Sequence, residues 1–251
     1  MKRLALGLLL ALAAAGASAE SRGRDDESMA KAARINAQLA VAYLKQNDVV
    51  AARDKIEKAL AENGRDPGVQ SAAGLVYMRL QELDKADRHY SEALRLAPND
   101  AEMQNNYAVF QCQRGKWDKG LKLFEQAARN PAYANPEVAY SNAGVCARNA
   151  KNQTRAEDEF RKALNIRKDF PDALLQMADL ELEKGAPLPA RAFIERYFAA
   201  TRATPDALLL AVRIEHRLGN RAGEDRYSDR LEHEFADSDQ ARQLREGAGQ
   251  K

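Results

Sequence analysis

The chain has 251 residues, 45% hydrophobic and 30% charged, with 39 Lys+Arg against 37 Asp+Glu and a formal net charge of +2. Two of the positive charges, Lys2 and Arg3, precede an apolar leading run, so the remainder of the chain is close to neutral. No dense Lys/Arg run follows, and a nucleic-acid footprint, which needs a basic excess on one face, is not expected.

The first segment pairs that basic start with an apolar run from Leu4 to Ala15 and the small residues Ala17-Ser18-Ala19. Residues 1–19 read as a secretory signal peptide. The run falls short of the ~20 residues that a spanning helix needs. A bacterial lipoprotein would carry a Cys directly after it, and the first Cys is Cys112. The expected product is therefore soluble, secreted or periplasmic, and begins near Glu20. Residues 20–32 are almost wholly polar and are expected to form a flexible leader.

From Ala33 a 34-residue period takes over. Its clearest copy, Asp66 to Pro98, places Gln70, Ala73-Gly74, Tyr77, Ala86, Tyr90, Ala93 and Pro98 in the slots of the tetratricopeptide (TPR) pattern. Small residues stand where two antiparallel helices press together and aromatic rings fill the space around them, so the pattern is one of packing and carries no catalysis. The first copy, Ala33 to Asp66, keeps Leu39-Ala40, Tyr43, Ala52, Ile56 and Ala59; the third, Ala101 to Ala134, keeps Tyr107-Ala108, Gly120, Phe124 and Ala127. Ala59, Ala93 and Ala127 follow one another at 34 residues. Next, Asn130 to Glu137 (NPAYANPE) lengthens the step to 36, and the extra residues are expected to bulge at a helix end. The fourth copy resumes with Tyr140, Ala143-Gly144, Ala156, Phe160 and Ala163, and the fifth keeps Ala178, Gly185, Ala190 and Ile194. In the sixth, Glu224 replaces the small residue of the third slot, as expected of a terminal cap facing water. Residues 33–238 are thus expected to form an all-α α-solenoid of six TPR helix pairs in a right-handed superhelix with a concave inner face, and 239–251 a polar, frayed C-terminal tail.

Catalytic and metal chemistry lack their residues. His89, His216 and His233 fall on separate helices without metal-ligand spacing. There is no phosphate loop, nucleophile elbow or acidic metal cluster. The expectation is a protein that is not an enzyme, with no cofactor, metal or small-molecule substrate. Cys112 and Cys146 fall late in the first helices of adjacent repeats, which lie side by side. In an oxidising compartment an even count favours a disulfide; the alternative is two buried free thiols packing as small apolar groups.

The inner surface is expected to be lined by first-helix residues two before the small slot: Gln38, Ala72, Asn106, Asn142, Gln176 and Leu210. Asn106 and Asn142 repeat a carboxamide, which donates and accepts at once and suits the backbone of an extended peptide. Leu75, Met78, Val109 and Val145 add apolar groove positions beside them. The competing reading is simply polar residues in a solvated groove.

At NNYAVFQCQRGKWDKGLKLFEQA (105–127) and PAYANPEVAYSNAGVCARN (131–149) the chain resembles the PilF/PilW family of type IV pilus biogenesis proteins, the secretin-assembly factors called pilotins. The resemblance rests on Asn-Asn-Tyr, both cysteines, the Ala-Tyr-Ala-Asn-Pro-Glu insertion and Asn-Ala-Gly-x-Cys. It implies a periplasmic protein binding an outer-membrane secretin subunit or another pilus assembly protein, and supporting pilus extrusion and twitching motility. Family members are usually lipid-anchored; here membrane association is expected only through the partner. A periplasmic TPR adaptor of another envelope or secretion process is the alternative.

Overall fold

In the computed structural model the described residues are 26–248; the signal segment lies outside them. Every regular element among them is an α-helix. The first, α1, covers 26–45. It is followed by α2 (Val49–Asn63), α3 (Pro67–Arg79), α4 (Leu83–Leu96), α5 (Ala101–Gln113) and α6 (Trp117–Arg129). Then come α7 (Pro136–Asn149), α8 (Gln153–Ile166), α9 (Pro171–Glu183), α10 (Pro187–Ala200), α11 (Pro205–Arg217), α12 (Arg221–Glu234) and α13 (Asp239–Ala248). The chain divides into two compact units between Phe110 and Gln111, within α5.

The turn inside each helix pair is built the same way six times. Three residues separate the helices and the middle one is left-handed: Asn47, Gln81, Gly115, Lys151, Gly185 and Gly219, with φ from 59 to 74°. The next amide donates back to the first helix, as Glu82 N–H does to the Tyr77 carbonyl and Asn152 N–H to that of Ala147, both at 2.9 Å. This bond, the mark of a Schellman closure, satisfies a carbonyl the helix end leaves open. Between pairs, the connection after α6 takes 130–135, against 167–170 after α8. Its extra residues form a self-contained turn, the Asn130 side chain accepting from Ala132 N–H at 2.9 Å.

In the first unit, α2 packs on α3 and α3 on α4. Gly74 lets the Tyr90 ring approach to where a Cβ would stand 2.7 Å away. Tyr90 in turn meets Phe110 and Tyr107 at centroid distances of 5.3 and 5.9 Å. In the second unit the consecutive helices α6 to α13 pack in sequence, and Phe160, Leu174, Met177, Ile194, Leu208 and Ile214 are fully buried.

Three expectations are corrected. The flexible leader is in part helix: α1 already covers residues 26–32, and Ala30 and Ala32 are not fully exposed. The C-terminal tail is also helix. α13 starts at Asp239, 34 residues after Pro205 starts α11, and packs on α11 and α12 with Ala241 buried. It is capped by Ser238, whose hydroxyl accepts from Ala241 N–H at 3.1 Å. α13 is therefore placed as the first helix of a seventh repeat, and the sixth does not face water where α13 covers it. The third slot of the sixth repeat does hold Glu224, half-buried, and the buried small residue is its neighbour Gly223, where a Cβ would stand 2.6 Å from a Glu215 carboxylate oxygen.

Candidate protein-binding groove

A concavity of the first unit, about 800 Å³, runs along the exposed side of α1, α3 and α5. It takes one or two residues per turn from each helix, because the i, i+3, i+4 spacing keeps them on one face. Its wall includes Gln38 from α1, Leu75 and Met78 from α3, and Asn106 and Val109 from α5, with Ala72 between them. Leu75, Met78 and Val109 are half-buried and form an apolar floor. The Asn106 amide donates to the Ser71 hydroxyl at 3.3 Å.

Charge along this wall is balanced. Arg34 and Lys45 line it with Asp66 and Glu102. Asp66 is spoken for: it caps α3 by accepting from Gly68 and Val69 N–H at 2.8 and 3.1 Å, and it pairs with Arg34 at 2.8 Å. Burial pushes its carboxyl up, but the Arg34 guanidinium and the two backbone donors outweigh that and hold it below the ordinary 3.8. A groove with an apolar floor, carboxamides on its wall and little net charge suits an extended, largely uncharged segment.

Asn142 and Val145 stand on α7 in the second unit and do not line this cavity; both are half-buried there. The second unit has its own concavity of about 320 Å³, to which Gln176 and Leu210 contribute together with Asp179, Asp206, Arg213 and Gln240. Several of its polar groups are engaged. Arg148 reaches Asp179 and Glu183 at 2.6 Å and Gln176 at 3.0 Å, and Gln240 donates to Asp206 at 2.6 Å. Sequence reasoning missed the α13 side of this wall, whose one signal is a step of 34 from Ala207 to Ala241.

Cys112 and Cys146 are joined by a disulfide, with Cα atoms 5.6 Å apart. It ties the end of α5 to α7 across the lengthened connection. His89 is packed, stacked on Tyr77 at 5.2 Å with its Nδ1 2.7 Å from Gln70 Oε1, and burial lowers its pKa. His216 lies 3.1 Å from Glu224, and His233 is exposed in the last turn of α12. Among the described residues no cluster of His, Cys, Asp or Glu is placed to hold a metal, and no helix is long and apolar enough to cross a membrane.

Repeated helix pairs with small-to-aromatic contacts, left-handed turns and an inner groove define a tetratricopeptide solenoid, and the tetratricopeptide repeat family matches residues 67–100. Within that class the chain is similar to two type IV pilus proteins, PilF and PilW. It is 25% identical over 193 residues to the type IV pilus assembly protein PilF of Pseudomonas aeruginosa, covering 77% of this chain and 75% of that one. Its fold matches the crystal structure of PilW, a widely conserved type IV pilus biogenesis factor, with a TM-score of 0.73 at 27% identity, over 84% of this chain and 97% of PilW. The structure of P. aeruginosa PilF matches with a TM-score of 0.70 at 22% identity, over 88% and 99% of the two chains.

Proposed function

We propose that this protein is a non-enzymatic, periplasmic scaffold of type IV pilus biogenesis that assists assembly of the outer-membrane secretin, holding an extended segment of its partner in the groove of the first unit. The observation that carries the reading is the groove itself, where Gln38, Leu75, Met78, Asn106 and Val109 line one near-neutral concavity of about 800 Å³. Its kinship with PilF and PilW supports the pilus assignment. Association with the outer membrane then runs through the partner. Asn142 and Val145 are candidate partner contacts of the second unit taken by itself.

The test is co-purification from a membrane-solubilised extract with the chain tagged at Lys251, comparing the parent with Asn106→Ala and Met78→Ala. Recovery of a secretin or another pilus assembly subunit by the parent, with binding weakened about tenfold in each variant, is the expected result. Recovery of unrelated envelope proteins without any pilus component would overturn the pilus reading and leave a TPR adaptor of another process.

A further inference from the structure

The groove of the first unit is near neutral in sum, but its charges are not spread evenly. Its wall is built of rows, because positions one repeat apart stand at the same level on successive first helices. Val41, Leu75 and Val109 make one such row, apolar and half-buried. One turn toward the helix N-termini lie Gln38, Ala72 and Asn106. One turn toward the C-termini, about 6 Å along the axis, lie Lys45 and Arg79, both exposed.

The two edges differ. At the N-terminal edge the cations Lys31, Arg34 and Arg65 stand with Asp66, Asp100 and Glu102, and Glu27 lies one turn further out on α1, so this edge carries no positive excess. At the C-terminal edge Lys45 has no partner among the described residues, and Arg79 has only the Asn47 side-chain oxygen, at 3.5 Å. That contact leans Arg79 toward the turn after α1, and so toward Lys45. The carboxylates at this end open the second helices and are engaged: Asp48 accepts from Ala51 N–H at 3.0 Å, Glu82 binds Arg53 and Lys85, and Asp84 is not free. The Tyr43 and Tyr77 carbonyls, left open by the ends of α1 and α3, are met by Asp48 and Glu82 N–H, both at 2.9 Å. Two cations without a counter-charge thus overhang one side of an apolar row.

We propose that the partner segment held in this groove alternates apolar with acidic residues, its apolar side chains on the row of Val41, Leu75 and Val109 and its Asp or Glu side chains at Lys45 and Arg79. The proposal deepens the groove reading above and rests on it. Neighbouring helices stand about 8–10 Å apart, so the row spans roughly 16–20 Å, the length of about five or six extended residues. Side chains of an extended segment alternate between its two faces, so every second residue rises from the floor to where the long Lys and Arg side chains reach it. A near-neutral groove admits an uncharged segment, but this placement of charge favours an acidic flank. The chain's own residues before 26 have no acidic excess to offer: Arg22 and Arg24 balance Glu20 and Asp25, and Lys2 and Arg3 add to the positive side.

The test uses the full chain and three capped hexapeptides, alternating Val with Glu, with Gln or with Lys, titrated by calorimetry at low and high salt. The Val-Glu peptide should bind about fivefold more tightly than the Val-Gln peptide at low salt, and the gap should shrink at high salt. In the Lys45→Glu, Arg79→Glu double variant the Val-Lys peptide should become the preferred one. Both positions are exposed, so circular dichroism and thermal unfolding of that variant should match the parent. Equal binding of the Val-Glu and Val-Gln peptides by the parent would overturn the proposal. If Met78→Ala weakens both alike in that case, the groove reading stands and the acidic flank alone falls. If no peptide binds, or if binding ignores Met78→Ala, the groove reading falls with it. Protection of Lys45→Cys from alkylation in the peptide-free chain would also overturn the proposal. Protection independent of concentration would assign the groove to the chain's own residues before 26, and protection that grows with concentration would assign it to a second copy.

Discussion

Gly144→Ala measures how tightly the two helices of a repeat are pressed together. A Cβ at this position would lie 2.4, 2.5 and 2.8 Å from Cε1, Cδ1 and Cζ of Phe160, whose side chain is fully buried. Carbon atoms prefer about 3.5–4.0 Å, so α7 and α8 must separate by roughly an ångström or Phe160 must leave its rotamer. Overpacking of this kind costs about 1–3 kcal/mol, and the severity of the overlap places it at the upper end. Alanine's better helix propensity returns about 1 kcal/mol, leaving a net loss near 2 kcal/mol. At about 2–4 °C per kcal/mol for a chain of this size, the melting point should fall by roughly 4–8 °C. Urea unfolding followed by circular dichroism checks the free energy directly. Phe160→Leu in the same chain should recover part of the loss, making the two changes strongly non-additive. A Gly144→Ala protein as stable as the parent, or a double mutant whose losses simply add, would refute a direct clash between these groups.

The remaining predictions probe the turns, the staple and the capped helix. Lys151→Gly and Gln81→Gly, at φ of 63 and 60°, should each stabilise by about 1 kcal/mol in urea unfolding, because only glycine takes the left-handed conformation without strain. Gly185→Ala, which meets no atom within 4 Å but has φ of 74°, should cost a similar amount. Replacing Cys112 and Cys146 by Ser removes a cross-link spanning 34 residues and should cost about 4 kcal/mol, with a matching loss in the parent on reduction. Asp66 has its pKa lowered in the folded state, so it contributes stability that is complete above the ordinary carboxylate value of 3.8 and is lost as pH falls through the lower folded value. Asp66→Asn should therefore flatten the acid limb of a stability–pH profile while keeping a capping oxygen on α3; an unchanged limb would exclude the Arg34 pair as its origin.

The period made the helix pairs legible because it rests on residues whose size is fixed by contact: Gly74 under Tyr90 and Gly144 under Phe160 admit no substitute of ordinary volume. The same count placed Gln38, Leu75, Met78, Asn106 and Val109 along one groove, since positions on a helix face follow directly from the register of the buried ones. What escaped was whatever does not depend on size. Gln81 and Lys151 occupy left-handed positions that their side chains do not advertise, unlike Gly115 and Gly219 in the equivalent turns. Asn142 lies on a similar face to Asn106, but the local cavity of its unit is built by α9, α11 and α13, so slot identity alone does not predict which residues share a site.

The two ends of the array show why a sequence pattern is weakest where a repeat has only one neighbour. α13 carries little apolar surface beyond Ala241 and the half-buried Leu244, too few residues to register as an amphipathic helix, yet Ala241 is held at the same buried slot as Ala207. Its stability comes from docking on α11 and α12, from the Ser238 cap and from the Gln240 bond to Asp206. A helix of ten residues is marginal alone, so nearly all of its order is tertiary. α1 is the converse: twenty helical residues with Ala33, Ala37 and Ala40 buried on one side and Ile35 and Leu39 exposed on the other. Repeat arrays gain stability from each interface between neighbours. Among the described residues α13 presents a polar outer face, whereas α1 keeps Ile35 and Leu39 exposed.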